Sequence, residues 1–312
     1  MDHYRFVQLD VFTERAFQGN PLAVFPEASG LSDEDMQRIA REMNLSETVF
    51  VLPPTDAKAL RRLRIFTPER ELPFAGHPVV GTWNALAREG IVPKPVGESG
   101  STRIYQELSV GTLPVDIEFE AGRPLSVVMT QGRFEIYAEV EDEGERAALV
   151  RALGLKPEEL DESLPIQTIS TGIRVLAVPV RTLEILGRCR VRAEELVQAY
   201  QRTGAIGCYV FARESFDGAP SQVHARAFVP DAGVLEDPAT GGAAGPLAAY
   251  LVHHGALELE PDEGFFRFVI EQGDFIKRPS RIHAEVKGAR GSIEQVRIGG
   301  PSIVVAHGQL MF

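Results

Sequence analysis

Three kinds of side chain able to move protons stand beside the chain's sharpest turns. Glu47 lies in MNLSETVFV, His77 directly precedes Pro78 in ELPFAGHPVVG, and Glu236 and Asp237 open EDPATGGAAG. Carboxylates and a histidine are the groups of general acid–base catalysis, suited to shuttling a proton rather than to holding a covalent intermediate. Small residues stand just before His77 and just after the two acids, and an apolar stretch follows each. The first N–H groups of a helix have no intrahelical partner and carry the positive end of its dipole, so a helix start stripped of side chains can take an anion. Two such starts would grip a small carboxylate beside these acids and His77. Taken alone, a Gly-Gly pair before a helix is commonly a flexible loop, and each acid alone commonly a turn or surface residue.

The elements that must position these groups are legible in the first ninety residues. Phe6 to Phe12 and Leu22 to Phe25 read as strands around a Gly19-Asn20-Pro21 turn. Ser32 and Asp35 form a capping-box-like start, and Met36, Ile39, Ala40 and Met43 follow with helical spacing up to Asn44. Thr48 to Leu52 then reads as a strand stopped by Pro53-Pro54, which puts Glu47 at a helix-to-strand junction. Leu63 to Phe66 is a further strand. Pro78 suits the first turn of a helix and Gly90 its C-terminal end, and Val79, Val80, Trp83, Leu86 and Ala87 make that helix apolar on most sides, as in a buried one. Strand-like runs fill 91 to 123, and Pro124-Leu125-Ser126 reads as a crossing point. In the second half, helices are expected near 143–153 and 192–202, with strands near 174–180, 207–212, 223–229 and 265–270.

An internal echo links the halves. Phe66-Thr67-Pro68 followed by Glu71-Leu72-Pro73-Phe74-Ala75-Gly76 matches Phe228-Val229-Pro230 followed by Glu236-Asp237-Pro238-Ala239-Thr240-Gly241. Both give F-x-P and then E-x-P-x-x-G, about half the chain apart, ahead of an apolar helix. This points to two similar domains arranged by duplication.

Composition narrows the partners. The chain has 312 residues, 44% of them hydrophobic, and a formal net charge of −12. Length favours two cores, and the acidic balance disfavours nucleic acid. Neither a signal-like start nor an apolar run of bilayer length is visible, so no membrane association and a cytoplasmic location are expected. Two cysteines, Cys189 and Cys208, lack metal or redox spacing, so no metal is expected. The phosphate loop, zincin and nucleophile-elbow motifs are missing, as is G-x-G-x-x-G, which leaves nucleotide cofactors unsupported.

Together, DVFT at 10–13 with GNPLAV at 19–24, MNLSETVFV at 43–51, RIFTP and ELPFAGHPVVG within 64–81, and EDPATG at 236–241 resemble the PhzF-like phenazine-biosynthesis family. The resemblance runs to the closing GGPSIVV at 299–305. It implies an α+β fold of the diaminopimelate-epimerase type, with two similar lobes, each a β-barrel-like sheet around a central helix, and an active site between them. The lobes are expected at 1–123 and 124–300, with the last strand near 303–312 packing on the first lobe. The resemblance further implies cofactor-free isomerisation by C–H proton abstraction and return, for which the family's type substrate is trans-2,3-dihydro-3-hydroxyanthranilate, and a homodimer. Carried over by position, Glu47, His77 and Asp237 are the catalytic residues, with Glu47 as base and then acid. Asn20, Ser46, Gly76, Gly241 and Gly242 fall at substrate-binding positions. Burial against Val49 or Phe50 is expected to raise the Glu47 carboxyl.

One residue departs from the family pattern. Phenazine-pathway members often carry a serine where this chain has Gly242, which argues for a different carboxylate-bearing substrate. Related epimerases of this fold use a cysteine at each glycine-rich turn, and neither turn here has one, which disfavours thiol chemistry. Two alternatives remain: an amino-acid racemase or epimerase without pyridoxal phosphate, using Glu47 and Asp237, and a non-catalytic binding protein for small anions.

Overall fold

The structure is a computed structural model that describes residues 3–218 and 220–312. It divides into two compact units, Met1–Thr130 with Gly299–Phe312, and Gln131–Ile298. The first unit contains β1 (His3–Val11), β2 (Asn20–Phe25), α1 (Asp33–Met43), β3 (Glu47–Leu52), β4 (Arg61–Phe66), β5 (Glu71–Leu72), α2 (Gly76–Arg88), β6 (Gly100–Leu108), β7 (Gly111–Glu120) and β8 (Arg123–Thr130). The second contains β9 (Glu135–Glu139), α3 (Glu143–Ala152), β10 (Gln167–Ser170), β11 (Arg174–Val180), α4 (Leu183–Arg188), α5 (Ala193–Arg202), β12 (Cys208–Ala212), β13 (Ser221–Val229), β14 (Val234–Asp237), α6 (Gly241–His254), β15 (Phe265–Gln272) and β16 (Ser280–Ala289). Strand β17 (Ser292–Gly300) leads back to the first unit, where β18 (Ser302–Met311) closes the chain. Pro124-Leu125-Ser126 is therefore no crossing point: it lies inside β8, which pairs antiparallel with β7 and carries the first unit on to Thr130.

Duplication is written into the strand order. In the first unit, β18–β1–β2 is antiparallel, β2–β3 parallel, β3–β4–β5 antiparallel, β4–β6 parallel and β6–β7 antiparallel. In the second, β9–β10–β11 is antiparallel, β11–β12 parallel, β12–β13–β14 antiparallel, β13–β15 parallel and β15–β16 antiparallel. Each parallel step needs a crossover. Helix α1 lies in the connection from β2 to β3, and α4 and α5 lie in that from β11 to β12. The apolar helices α2 and α6 lie in the second crossover of each unit.

These two helices are the axes of their units. Every residue of α2 from Gly76 to Ala87 is buried, and α2 packs on β1, β2, β3, β7, β8 and β18. Fully burying Val79, Val80 or Leu86 contributes about 1.5–3 kcal/mol each. Trp83 is also fully buried, and its indole N–H donates to Gln106 Oε1 at 2.7 Å. Helix α6 packs on β10, β11, β15 and β16. In the first unit, Phe25 stacks on Phe50, which meets Phe66 edge-on, in one cluster with Met36 and Ile39 of α1. That helix starts as its sequence implies, with Ser32 accepting Asp35 N–H, and ends at Asn44 in the left-handed region that asparagine tolerates. No helix among the described residues is long and apolar enough to cross a membrane.

Close packing of α2 requires Gly81. A Cβ there would stand 2.6 Å from Leu22 Cδ2 and 2.7 Å from Val11 Cγ2. Gly81→Val should therefore push α2 off β1 and β2 at a cost of about 1–3 kcal/mol. A lowered thermal midpoint is expected in a circular dichroism melt; an unchanged midpoint would mean that the strands retreat freely.

Candidate active site

Each glycine-rich turn follows a short hairpin strand, β5 or β14, and a clamp holds that hairpin shut. Arg64 donates Nε and Nη2 to Glu71 Oε1 and Oε2 at 2.8 and 2.6 Å, and Arg226 makes the same fork to Glu236 at 2.9 and 2.6 Å. Each guanidinium also lies over a ring of the repeat, Arg64 at 5.1 Å from the Phe66 centroid and Arg226 at 5.0 Å from that of Phe228. The echo therefore has a physical basis in R-x-F-x-P and E-x-P, in which the arginine belongs to the repeat. Glu236 is correspondingly not a ligand-facing acid; its carboxylate is taken up by Arg226.

Past the clamps, both central helices begin without a side-chain cap and without an acid in the first turn. By contrast α1, α3 and α4 are capped by Ser32, Asp142 and Thr182. Gly76 and Gly241 thus open helices whose first amides are left to other acceptors, the arrangement that favours an anion.

Four of the expected residues meet in the first unit. The register places Asn20 at the head of β2, opposite Val11, after the tight turn at Gly19. There φ is +67°, and a Cβ would lie 2.2 Å from Val11 O. Left-handed Asn44 turns the chain so that Ser46 precedes Glu47, the first residue of β3. Ser46 Oγ donates to Asn20 Oδ1 at 3.1 Å, Asn20 Nδ2 lies 3.3 Å from His77 Nδ1, and His77 Nε2 lies 3.3 Å from Glu47 Oε2. The chain has a direction. With Asn20 donating, Nδ1 accepts, so neutral His77 carries its proton on Nε2, towards Glu47. Burial lowers the His77 pKa from 6.5 to about 3, which keeps the ring neutral across the working range. Val49 shares Glu47's face of β3, whereas alternation turns Phe50 outward into the layer beneath α1, so Phe50 cannot supply the expected burial.

Asp237 ends β14 in the second unit, buried. Thr240 Oγ1 donates to its Oδ2. Gln272, at the end of β15, receives Tyr209 O–H at 2.8 Å and Thr240 N–H at 3.1 Å on Oε1, and gives Nε2 to Asp237 O at 2.7 Å and Thr240 Oγ1 at 3.0 Å. No sequence signal marked Gln272 or Tyr209. Gly242 follows in the first turn of α6, where a Cβ would meet Ile173 Cδ1 at 3.3 Å, and Gln131 Nε2 donates to Gly241 O at 2.8 Å.

The registers also show where the halves diverge. Phe66 pairs with Thr48 and Phe228 with Cys208, so Glu47 corresponds to Gly207. Phe25 pairs with Phe50 and Val178 with Val210, so Asn20 corresponds to Ile173. His77 corresponds to Gly242, and Asp237 to Leu72, which pairs with Ile65 as Asp237 does with Ala227. The frame is repeated; its reactive groups are not.

Two other clusters serve structure. His224, Glu271 and Asp274 have ligand-type atoms within 4.8 Å of one another. Their carboxylates are engaged, however: Glu271 accepts Phe216 and Asp217 N–H at 2.7 and 2.9 Å, and Asp274 is forked by Arg281 at 3.0 and 3.1 Å. Glu107 latches the corresponding loop of the first unit through Thr55 and Asp56 N–H. Cys189 and Cys208 are buried in the second unit's outer core, where burial pushes the Cys189 thiol up to about 11 and that of Cys208 further.

Known proteins bear on this arrangement. The sequence model for the phenazine biosynthesis-like proteins matches residues 9–308. The trans-2,3-dihydro-3-hydroxyanthranilate isomerase of Pseudomonas aeruginosa is 36% identical over 98% of this chain and 99% of its own. The solved structure of a phenazine biosynthesis protein of the PhzF family from Bacillus anthracis superposes with a TM-score of 0.86 at 29% identity, covering all of both chains. A hydroxyproline epimerase from Agrobacterium vitis, at 14% identity and a TM-score of 0.64 over 99% of this chain and 91% of its own, shares the fold.

Burial of neutral His77 has a stability consequence. Its folded pKa lies below the unfolded 6.5, so between 6.5 and about 3 the unfolded chain binds the extra proton, and stability falls as pH drops through that window. The slope from this group approaches about 1.4 kcal/mol per pH unit. Urea unfolding at pH 6.5, 5.5 and 4.5 should show a shallower decline in His77→Asn than in the wild type; parallel declines would contradict a neutral, buried ring.

Proposed function

We propose, from the premise that the chain belongs to the phenazine biosynthesis-like (PhzC-PhzF) family and is an isomerase, that it moves a proton between two carbons of a small carboxylate-bearing metabolite, with Glu47 as the transferring group. The observation that carries this reading is the 3.3 Å approach of His77 Nε2 to Glu47 Oε2, with the ring held neutral and its tautomer set by Asn20. Glu47 takes a proton from carbon as general base, the electron pair shifts into a neighbouring double bond, and the same carboxyl returns the proton at the far end. His77 presents its Nε2 side to that carboxylate at 3.3 Å. The open amides at Gly76 are suited to the substrate carboxylate, and the family resemblance assigns Asp237 to hold a polar group of the substrate. No step in this sequence calls for a cofactor.

Asymmetry between the halves favours isomerisation over a two-base racemase built on the duplicated turns. The positions corresponding to Glu47 and His77 are Gly207 and Gly242, neither of which can carry a proton. The P. aeruginosa relative's substrate is the natural first compound to try. With Gly242 beside Ile173, position 242 itself offers no hydroxyl, which favours a related carboxylate with an apolar group at that end.

Proton NMR in deuterated water with trans-2,3-dihydro-3-hydroxyanthranilate and a panel of cyclic and acyclic amino acids should reveal isomerisation or carbon-bound exchange. Glu47→Gln, nearly isosteric, should lower that rate at least about 100-fold. Undiminished turnover in this variant would remove Glu47 from the mechanism, and α-deuteration with racemisation would replace the isomerase by an epimerase.

A further inference from the structure

We infer that Gln272 is a positioning residue for Asp237, acting through the Thr240 hydroxyl, which it obliges to donate to Asp237 Oδ2. This rests on the role proposed above for Asp237. The orientation of the Gln272 amide is fixed on both sides. Thr240 N–H can only donate and Asp237 O can only accept, so Oε1 must face the former and Nε2 the latter. Tyr209 O–H adds a second donor to Oε1. With Nε2 also donating to Thr240 Oγ1, the hydroxyl's own proton is directed to Asp237 Oδ2. Gln272 and Tyr209 are fully buried, so neither amide nor phenol is drawn away by water.

Nothing of this kind exists at the corresponding places in the first unit. Parallel pairing of Arg62 with Glu107 and of His224 with Glu271 makes Leu108 the counterpart of Gln272, and Leu72 that of Asp237. Amide and acid thus occur together in one unit and are both replaced by leucine in the other, as expected if the glutamine serves the aspartate rather than the shared frame. Ionisable neighbours are matched to this task. Burial holds Tyr209 as a phenol, far above its ordinary range, and Glu236 is paired with Arg226. Asp237 is thereby presented as an acceptor, suited to an amino or hydroxyl group of the substrate rather than to a second carboxylate.

The test requires no substrate, so its outcome is separable from that of the isomerase reading. Protein labelled with 13C at the aspartate carboxyl carbon is titrated by NMR, the Asp237 signal being the one lost in Asp237→Asn. Thr240→Val, which is isosteric, and Gln272→Leu should each raise the proton affinity of Asp237 about tenfold, because a carboxylate that loses a donor holds its proton more tightly. Thr240→Ser, which keeps the hydroxyl, should titrate with the wild type. Should Gln272→Leu fail to fold, Thr240→Val decides. A wild-type midpoint in folded Thr240→Val, or a displacement in Thr240→Ser as large as that in the valine variant, would overturn the assignment.

Discussion

The structure depends on carboxylates that stand at the end of oriented chains of polar side chains. In one unit the order is Ser46, Asn20, His77, Glu47; in the other it is Tyr209, Gln272, Thr240, Asp237. Each passes through a primary amide, the one neutral side chain that presents a fixed donor and a fixed acceptor side by side. An amide so placed transmits direction: what binds its oxygen decides what its nitrogen must do. A buried polar chain of this kind is costly if incomplete and rigid if complete, which suits groups that must meet a substrate with a defined protonation state.

Such chains need a frame that does not yield, and the duplicated architecture supplies it twice. A central helix buried along its length sets the depth of each glycine-rich turn. The Arg64–Glu71 and Arg226–Glu236 forks then close the hairpin that delivers the chain to that turn. Bidentate pairing resists rotation better than a single contact, and both pairs are largely shielded from solvent. Latches at Glu107 and Glu271 tie down the loops that follow β3 and β12 in the same manner, so acids outside the reactive group serve the frame.

Within equal frames the two units carry unequal contents. Replacing Glu47, His77 and Asn20 by Gly207, Gly242 and Ile173 removes every group able to take a proton at those positions, while Asp237 and Gln272 appear where the first unit has Leu72 and Leu108. Two copies of one scaffold thus carry different side chains at corresponding places, Glu47, His77 and Asn20 in one and Asp237 and Gln272 in the other. The change is economical because small residues leave the helix starts, and hence their open amides, intact.

Much of this was legible in the linear chain. The α1 cap at Ser32, its stop at Asn44, the burial of α2 and the repeated F-x-P with E-x-P-x-x-G all follow from periodicity, turn chemistry and capping, which are local in sequence. The candidates Glu47, His77 and Asp237 adjoin such turns, and the family resemblance singled them out, Asp237 over its neighbour Glu236 included. What the sequence could not decide were relations over long separations. It could not say that Pro124 sits within a strand, that Phe50 turns away from Glu47, that Glu236 is consumed by Arg226, or that Gln272 lies beneath Thr240. Those depend on which strands pair and in what register. Pairing energy is spread over many residues, whereas a shift by one position exchanges the two faces of a strand, so only the folded sheet could assign partners to the acids that the sequence had picked out.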